Sequence, residues 1–345
     1  MRLRLVAVFL AGVTLAAGCS GSAPDSTEVA LLTHDSFLVS EGVLEAFTEE
    51  TGITVTVLRS GDAGTMVNQA ILTKDNPIAD VLYGVDNTFL SRALSEELFV
   101  PYTAARIEAV PAGLRVEDDM VTPIDFGDVC INTDIAGLDG IGVTPPASLR
   151  DLADPAYRGL LVVQDPSTSS PGLAFLLATI DTFGEEGDYT WHDYWTDLVA
   201  NDVLITRGWE EAYNLEFSGG SGTGTRPLVV SYASSPPVEV FFGDLDEAPT
   251  GVVTAGCFRQ IEYAGVLAGT GNEEAAGQLV DYLISVQFQE DIPLNMFVFP
   301  ANQDAALPEV FVEHTTLPAH PVTMTPDRID AHREQWIDEW AQIVR

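Results

Sequence analysis

Positive charge is what this sequence has least of. Its 345 residues carry 15 Lys and Arg against 52 Asp and Glu, a formal net charge of −37 at pH 7. A nucleic-acid binder needs a cationic footprint for the phosphates, so that class of function is excluded. The same surplus would raise the local concentration of a cationic ligand. It would equally keep an exported protein soluble, and composition leaves both readings open. Enzyme signatures are missing too. The five histidines (His34, His192, His314, His320 and His332) are scattered, none in an HExxH pattern, and no G-x-S-x-G elbow occurs. His34 and Asp35 are neighbours, but adjacency in sequence is weak support for a catalytic dyad. No internal repeat is visible. Gly219-Gly220-Ser221-Gly222-Thr223-Gly224 lacks the lysine of a phosphate-binding P-loop and reads as a flexible loop.

The one long apolar run sits at the start. Met1-Arg2-Leu3-Arg4 is basic, and Leu5 to Ala17 is apolar except for Gly12 and Thr14. That run is too short to span a membrane as a stable helix, so residues 1–18 read as a cleaved export signal. Ala16-Ala17-Gly18-Cys19 resembles a bacterial lipobox, with Ala16 in place of the preferred leucine. Cys19 is therefore expected to be the lipidated first residue of the mature chain, followed by a flexible polar tether over residues 19–28. The expectation is a soluble body held to the outer face of the cell membrane by its lipid alone. Only Cys130 and Cys257 then remain, in an oxidising compartment. They are either two separate buried residues or one disulfide, and two thiols alone make no metal site.

A chain of 345 residues exceeds what one hydrophobic core usually covers, so two domains are expected. Val29–Leu32 is a short apolar strand. Ser40 can cap a helix with Val43, Leu44 and Phe47 on its apolar face and Gly52 at its end. Ile53 to Leu58 alternates as a strand, Thr65 to Lys74 carries Met66, Val67, Ala70 and Ile71 at helical spacing, and Ala79 to Gly84 is a further strand. This β-α-β-α-β order predicts a parallel sheet with helices on its faces. The pattern restarts at Leu160–Val163, with a helix from Pro171, helices over 188–200 and 208–217, and a strand over Leu228–Tyr232. A helix is expected from Glu273 to Gln289. A last helix is capped by Thr325 with Pro326 at its first position, and Trp336, Ile337, Trp340 and Val344 form its apolar stripe.

Ligands of open parallel sheets bind beyond the carboxyl ends of the strands. Four segments fall there: 33–36 with His34 and Asp35, 60–64 with Asp62, 165–172, and 231–237. In the third, Ser170 would cap a helix with Pro171 next; the fourth repeats that chemistry with Tyr232, Ala233, Ser234 and Ser235. A helix start offers unpaired N–H groups and suits a phosphate or hydroxyl oxygen, although plain capping explains either loop alone. In RGWEEAY (207–213), Trp209 and Tyr213 lie four residues apart. They are either an ordinary buried pair or a ring held at a surface for a ligand.

HDSF (34–37), ADVLYGVDN (79–87), DPSTSSPGLAFLL (165–177), RGWEEAY, LVVSYASSP (228–236) and TPDRIDAHREQWIDEW (325–340) occur in the order found in bacterial thiamine-binding proteins of ABC importers. The chain resembles that family from about Val29 to Val344. The resemblance implies a two-lobed periplasmic-binding-protein-like fold of type II, α/β in class, with crossing hinge strands and a ligand cleft between the lobes. Lobe 1 would be residues 29–127 and 259–345, and lobe 2 residues 128–258. It implies a monomer that hands thiamine or a phosphate ester to a permease, with no cofactor, no metal and no reaction. Its ligand contacts fall on Asp62, Ser169, Ser170, Trp209 and Tyr232 to Ser235, with His34, Asp35 and Phe297 beside them. Trp209 would face the ligand while Tyr213 braces it. The family often has tyrosine at the positions of His34 and Val238 and tryptophan at that of Phe297, and a shorter glycine-rich loop. The implied aromatic enclosure is thinner, which keeps open a phosphate ester or the pyrimidine fragment of thiamine. Separate alternatives are the same fold holding a polyamine or a ferric ion, for which only His34 and Tyr232 are candidate donors, and an exported enzyme acting on a thiamine-like compound. The implied crossings, near Asp125–Ile131 and Cys257–Glu262, hold one cysteine each, and so the resemblance implies a Cys130–Cys257 bridge.

Overall fold

The structure is a computed structural model and describes residues 27–345. The expected export signal, Cys19 and most of the tether lie outside the described residues. The chain opens with β1 (Glu28–Thr33), α1 (Val43–Thr51), β2 (Thr54–Arg59), α2 (Ala63–Leu72), β3 (Val81–Asp86) and α3 (Leu90–Ser95). Next come the long strand β4 (Thr122–Asp134), α4 (Ile135–Ile141), β5 (Leu161–Gln164), α5 (Ser170–Phe183), α6 (Trp191–Ala200) and β6 (Leu204–Thr206). A π-helix (Glu211–Glu216), β7 (Leu228–Tyr232), α7 (Ser235–Gly243) and the long strand β8 (Thr250–Val266) follow. The chain closes with α8 (Glu273–Leu283), α9 (Val286–Gln289), α10 (Ile292–Met296), β9 (Phe299–Pro300), α11 (Glu309–His314) and α12 (Pro326–Val344).

The strands run in the order β2-β1-β3-β8-β4-β7-β5-β6, with β9 on β4. The outer groups are parallel, as expected: β1 with β2 and β3, β5 with β6 and β7. The centre is antiparallel, because β4 and β8 run side by side through both lobes, Asp125 opposite Glu262 and Val129 opposite Phe258. One end of β8 pairs with β3 and the far half of β4 with β7, so these two strands join the lobes. Register breaks where Val129 faces Phe258 but Ile131 faces Val253, leaving residues 254–257 bulged opposite Cys130. Gly256 takes the left-handed turn there (φ 77°), and Cys257 is bridged to Cys130. The bridge closes a separation of 127 residues, worth about 5 kcal/mol on the chain-entropy account.

Local boundaries differ from the sequence expectation in instructive places. Ser40 does not cap α1. Its hydroxyl accepts from Asn295 and its N–H donates to Asp291, so the chain turns once more and Gly42 stands at the helix start. Gly52 closes α1 in the left-handed region (φ 76°), as expected. α5 begins one residue early, with Ser169 at the cap, because the Ser169 carbonyl accepts the first helical bond from Leu173. The helix expected to run to Gln289 breaks at Ser285, whose hydroxyl caps a new start at the Phe288 N–H. The glycine-rich loop is packed rather than open: a Cβ on Gly222 or Gly224 would strike backbone carbonyls at 2.3 and 2.0 Å. Thr325 and Pro326 do begin α12. That helix packs on α6 and on α3, Trp340 meeting Trp195 edge-on at 5.6 Å while Arg333 lies over Phe89.

Candidate functional site

A cavity of about 440 Å³ lies between the lobes, beyond the ends of β1, β2 and β7. Of the residues expected there, His34, Asp35, Asp62, Ser170, Trp209, Tyr232 and Phe297 line it. Ser169, Ala233, Ser234 and Ser235 do not; they are fully buried behind the wall. The Ala233 N–H donates to the Asp128 carbonyl at 2.8 Å. The Ser234 hydroxyl donates to the Phe297 carbonyl, and Ser235 shares a hydrogen bond with Ser231 at 3.0 Å. Ser231 in turn accepts the indole N–H of Trp209 at 2.9 Å. The start of α7 therefore braces the aromatic wall from behind.

The wall itself is a stack. In the π-helical turn, where Phe217 N–H reaches the Ala212 carbonyl, Tyr213 lies flat on Trp209 with centroids 4.8 Å apart and planes 15° from parallel. An α-helix was expected here; the wider turn matches a type of irregularity common at functional sites. Buried Tyr213 donates to Glu239 at 2.8 Å, and Phe297 meets the Trp209 ring edge-on at 5.7 Å. With one face on Tyr213, Trp209 has its other face left for the cavity. Phe297 reaches this place from a left-handed backbone (φ 63°), uncommon for a side chain of its size and of the kind that clusters at functional sites.

Asp62 joins the two sides. It caps α2, with Oδ1 accepting from the Ala63 N–H at 2.6 Å and the Ser170 N–H at 3.4 Å. Its Oδ2 accepts from the Trp209 N–H at 2.9 Å. Burial raises its carboxyl above the ordinary aspartate range, and the Trp209 and Ala63 amides oppose that rise. Beside it the Thr65 N–H donates to the Thr168 carbonyl at 3.2 Å, and two glycines permit the approach. A Cβ on Gly64 would meet Thr168 backbone at 2.8 Å; one on Gly208 would meet Asp62 at 2.9 Å.

The floor is acidic and partly dry. His34 lies 3.5 Å from Glu262, and its ring fits over Gly84 (φ 101°), where a Cβ would come within 2.4 Å. Burial alone would lower the His34 pKa, but Glu262, Asp62 and Asp125 together lift it to about 9. Asp86 is pushed up to about 7, by burial first and the Glu262 charge after it. Asp125, raised by burial and by Glu262, accepts from the Tyr83 hydroxyl. Tyr232 donates to Gln260 at 3.1 Å, so His34 and Tyr232, the two side chains suited to an iron ion here, both have protein partners. Among the described residues no group of three or more His, Cys, Asp or Glu side chains is arranged to hold a metal ion. Sequence reasoning did not single out Glu262, Glu210, Arg59 or Met296 as cavity-lining side chains. Only the place of Glu262 in an expected crossing strand hinted at it.

Two α/β lobes joined by a pair of long central strands, with a cleft at the strand ends, define an extracytoplasmic solute-binding protein of the type II periplasmic-binding-protein fold. The chain belongs to the bacterial extracellular solute-binding protein family, whose sequence profile matches residues 76–318. It is 30% identical over 330 residues to the thiamine-binding periplasmic protein of Salmonella typhimurium, covering 94% of this chain and 96% of that one. It is 30% identical over 317 residues to the protein of the same name from Escherichia coli, covering 90% and 92%. A solved periplasmic thiamin binding protein superposes with a TM-score of 0.83 at 27% identity, over 94% of this chain and 98% of that one. Iron-bound HitA from Pseudomonas aeruginosa shares the fold, with a TM-score of 0.72 at 18% identity over 92% and 99%. Among the described residues no helix is long and apolar enough to cross a membrane.

Proposed function

We propose that this protein captures thiamine outside the cytoplasm and delivers it to the permease of an ABC importer. The observation that carries the reading is the pairing of an aromatic plane with acid: Trp209, backed by Tyr213, borders a cavity that Asp35, Asp62, Glu210 and Glu262 also line. The thiazolium ring of thiamine is a fixed cation. Over an aromatic face such a cation gains about 0.5–2 kcal/mol, and the acidic lining attracts the cation and repels anionic competitors. The relatives named for thiamine support the same reading.

In this proposal the ligand is held by Trp209, Tyr232 and Phe297 through their rings and by His34, Asp35, Asp62 and Ser170 through polar contacts. Residues 29–127 and 259–345 form one lobe and 128–258 the other, closing on the ligand without chemistry. The protein acts as a monomer, tethered through a lipid on Cys19, and needs no cofactor. Calorimetric titration with thiamine tests it: Trp209→Ala should weaken binding at least tenfold, about the loss of one stacked cationic contact. An unchanged dissociation constant removes Trp209 from the site. Thiamine recovered altered after hours with the protein alone would make it an enzyme instead.

A further inference from the structure

Resting on the thiamine reading, we infer that His34 is a resident cation of the cleft floor, paired with Glu262. The thiazolium of thiamine competes with it for the same carboxylates, and capture of the vitamin drives a proton off the imidazole into the solvent. The seat fits a histidine ring closely. The ring lies over Gly84, where any Cβ would come within 2.4 Å of it, and beside the Tyr83 ring at 6.0 Å. Its Nε2 stands 3.5 Å from Glu262, too far for a well-formed hydrogen bond, and closes no other. Glu262 is fixed from its other side. The Gln260 side-chain N–H donates to it at 2.9 Å, and Gln260 in turn accepts from Tyr232 at 3.1 Å. Charge, more than a directed bond, holds His34 to the floor.

The groups around the ring are mostly acids. Glu262 comes from β8, Asp125 from β4 opposite it, and Asp62 from the start of α2. Asp86 on β3 stands opposite Glu262 as well, while Asp35 and Glu210 line the rest of the cavity. Burial keeps the hydroxyls of Tyr83 and Tyr232 protonated. The other cation of the lining, Arg59, donates through Nε and Nη2 to the Phe37 carbonyl at 3.1 and 3.0 Å. Asp86 and Asp125 each keep a buried carboxyl oxygen without a partner. Burial opposes a charge on His34, but the carboxylates of Glu262, Asp62 and Asp125 outweigh it and hold its pKa at about 9. A thiazolium is a second positive charge, and one that cannot titrate. Lodged in the same cavity of about 440 Å³, it satisfies those carboxylates and repels the imidazolium through a partly desolvated space. His34 is the partner that gives way, by losing its proton.

The test is calorimetric. Thiamine titrated into the protein at pH 8.5, in two buffers of different ionisation heat, should release about half a proton per molecule bound. Affinity should rise about threefold from pH 7 to pH 8.5. Both figures correspond to a fall of about one unit in the His34 pKa on binding. His34→Gln keeps a polar side chain without the charge. It should bind thiamine several-fold more tightly than the parent at pH 7 and release no proton at pH 8.5. Asp86→Asn should still release it, because Asp86, with a pKa of about 7, is already ionised at pH 8.5. Binding to the parent with no proton released and equal affinity at both pH values would overturn the inference and leave the thiamine reading standing. So would a release that survives His34→Gln, since the proton would then come from a floor carboxyl. Failure of thiamine to bind the parent at either pH would overturn both.

Discussion

Helices α5 and α7 begin alike and serve differently. Each follows a buried strand of the same sheet, and each starts Ser-Ser-Pro: Ser169-Ser170-Pro171 and Ser234-Ser235-Pro236. At α7 both hydroxyls have protein partners. At α5 neither hydroxyl closes a well-formed hydrogen bond; their polar neighbours are carboxylates, Asp62 for Ser169 and Asp86 for Ser170, and Asp62 comes from the start of α2 across the cleft. Local sequence sets the helix start in both. The tertiary partner decides whether its polar groups hold the fold together or face a ligand.

The largest effect expected at the α5 start is one of pH, because the buried acid Asp86 stands near it with Oδ2 unpartnered. Asp86 keeps its proton up to about pH 7 in the folded protein, burial being the main cause, whereas the unfolded chain loses it near pH 4. The folded state binds the extra proton in that window, so stability from this group falls as pH rises from about 4 to 7. His34 continues the trend. Its folded pKa of about 9 lies above the ordinary value of 6.5, so its contribution is complete below 6.5 and lost as pH rises through 9. Asp86→Asn keeps an Oδ1 to accept from Thr88 and Phe89. It should therefore raise the melting temperature relative to the parent at pH 8 much more than at pH 5, by an amount on the order of a few kcal/mol in stability. An equal shift at both pH values would refute the assignment.

A second way to break the comparison is to stop α2 from reaching α5. Gly64→Ala suits the helix it lies in, since alanine is the better helix former by about 1 kcal/mol. Its methyl group would nevertheless meet the Thr168 backbone at 2.8 Å just where the lobes touch, and the buried Phe89 ring beside it at 2.8 Å. Affinity for thiamine is expected to fall at least tenfold, with some loss of melting temperature from the Phe89 contact, and X-ray scattering should show a more open average shape. Unchanged affinity would mean that this contact is not part of the liganded state.

How much of this could be read from sequence follows from where each partner lies. The parallel units, the α12 start at Thr325-Pro326 and the Trp209–Tyr213 stack were legible because their determinants sit within a few residues of each other. Ser234 was misread as cavity-facing because its partner, the Phe297 carbonyl, is 63 residues away. Glu262 was missed because nothing near it reveals that β8 sets it opposite Asp125 and within reach of His34. The glycines at 64 and 84 look unremarkable until the Thr168 backbone and the His34 ring arrive against them. Elements are a local property here; the site is assembled from long-range pairings.

The smallest effects isolate the two helix starts themselves. Ser234→Ala leaves the Phe297 carbonyl without its donor, a loss of about 1 kcal/mol in stability. Because that carbonyl anchors a residue held in the left-handed region against Trp209, a modest weakening of thiamine binding should accompany it. Ser170→Ala removes a hydroxyl that closes no well-formed hydrogen bond, its polar neighbour being Asp86, so stability should move by no more than about 0.5 kcal/mol. Affinity should still drop a few-fold, since in the proposed binding mode that hydroxyl makes a polar contact with the ligand. Denaturant melts paired with titrations separate the outcomes: one variant loses stability first, the other affinity alone. If Ser170→Ala destabilises as much as Ser234→Ala while binding is untouched, the two helix starts are equivalent and the contrast between them is wrong.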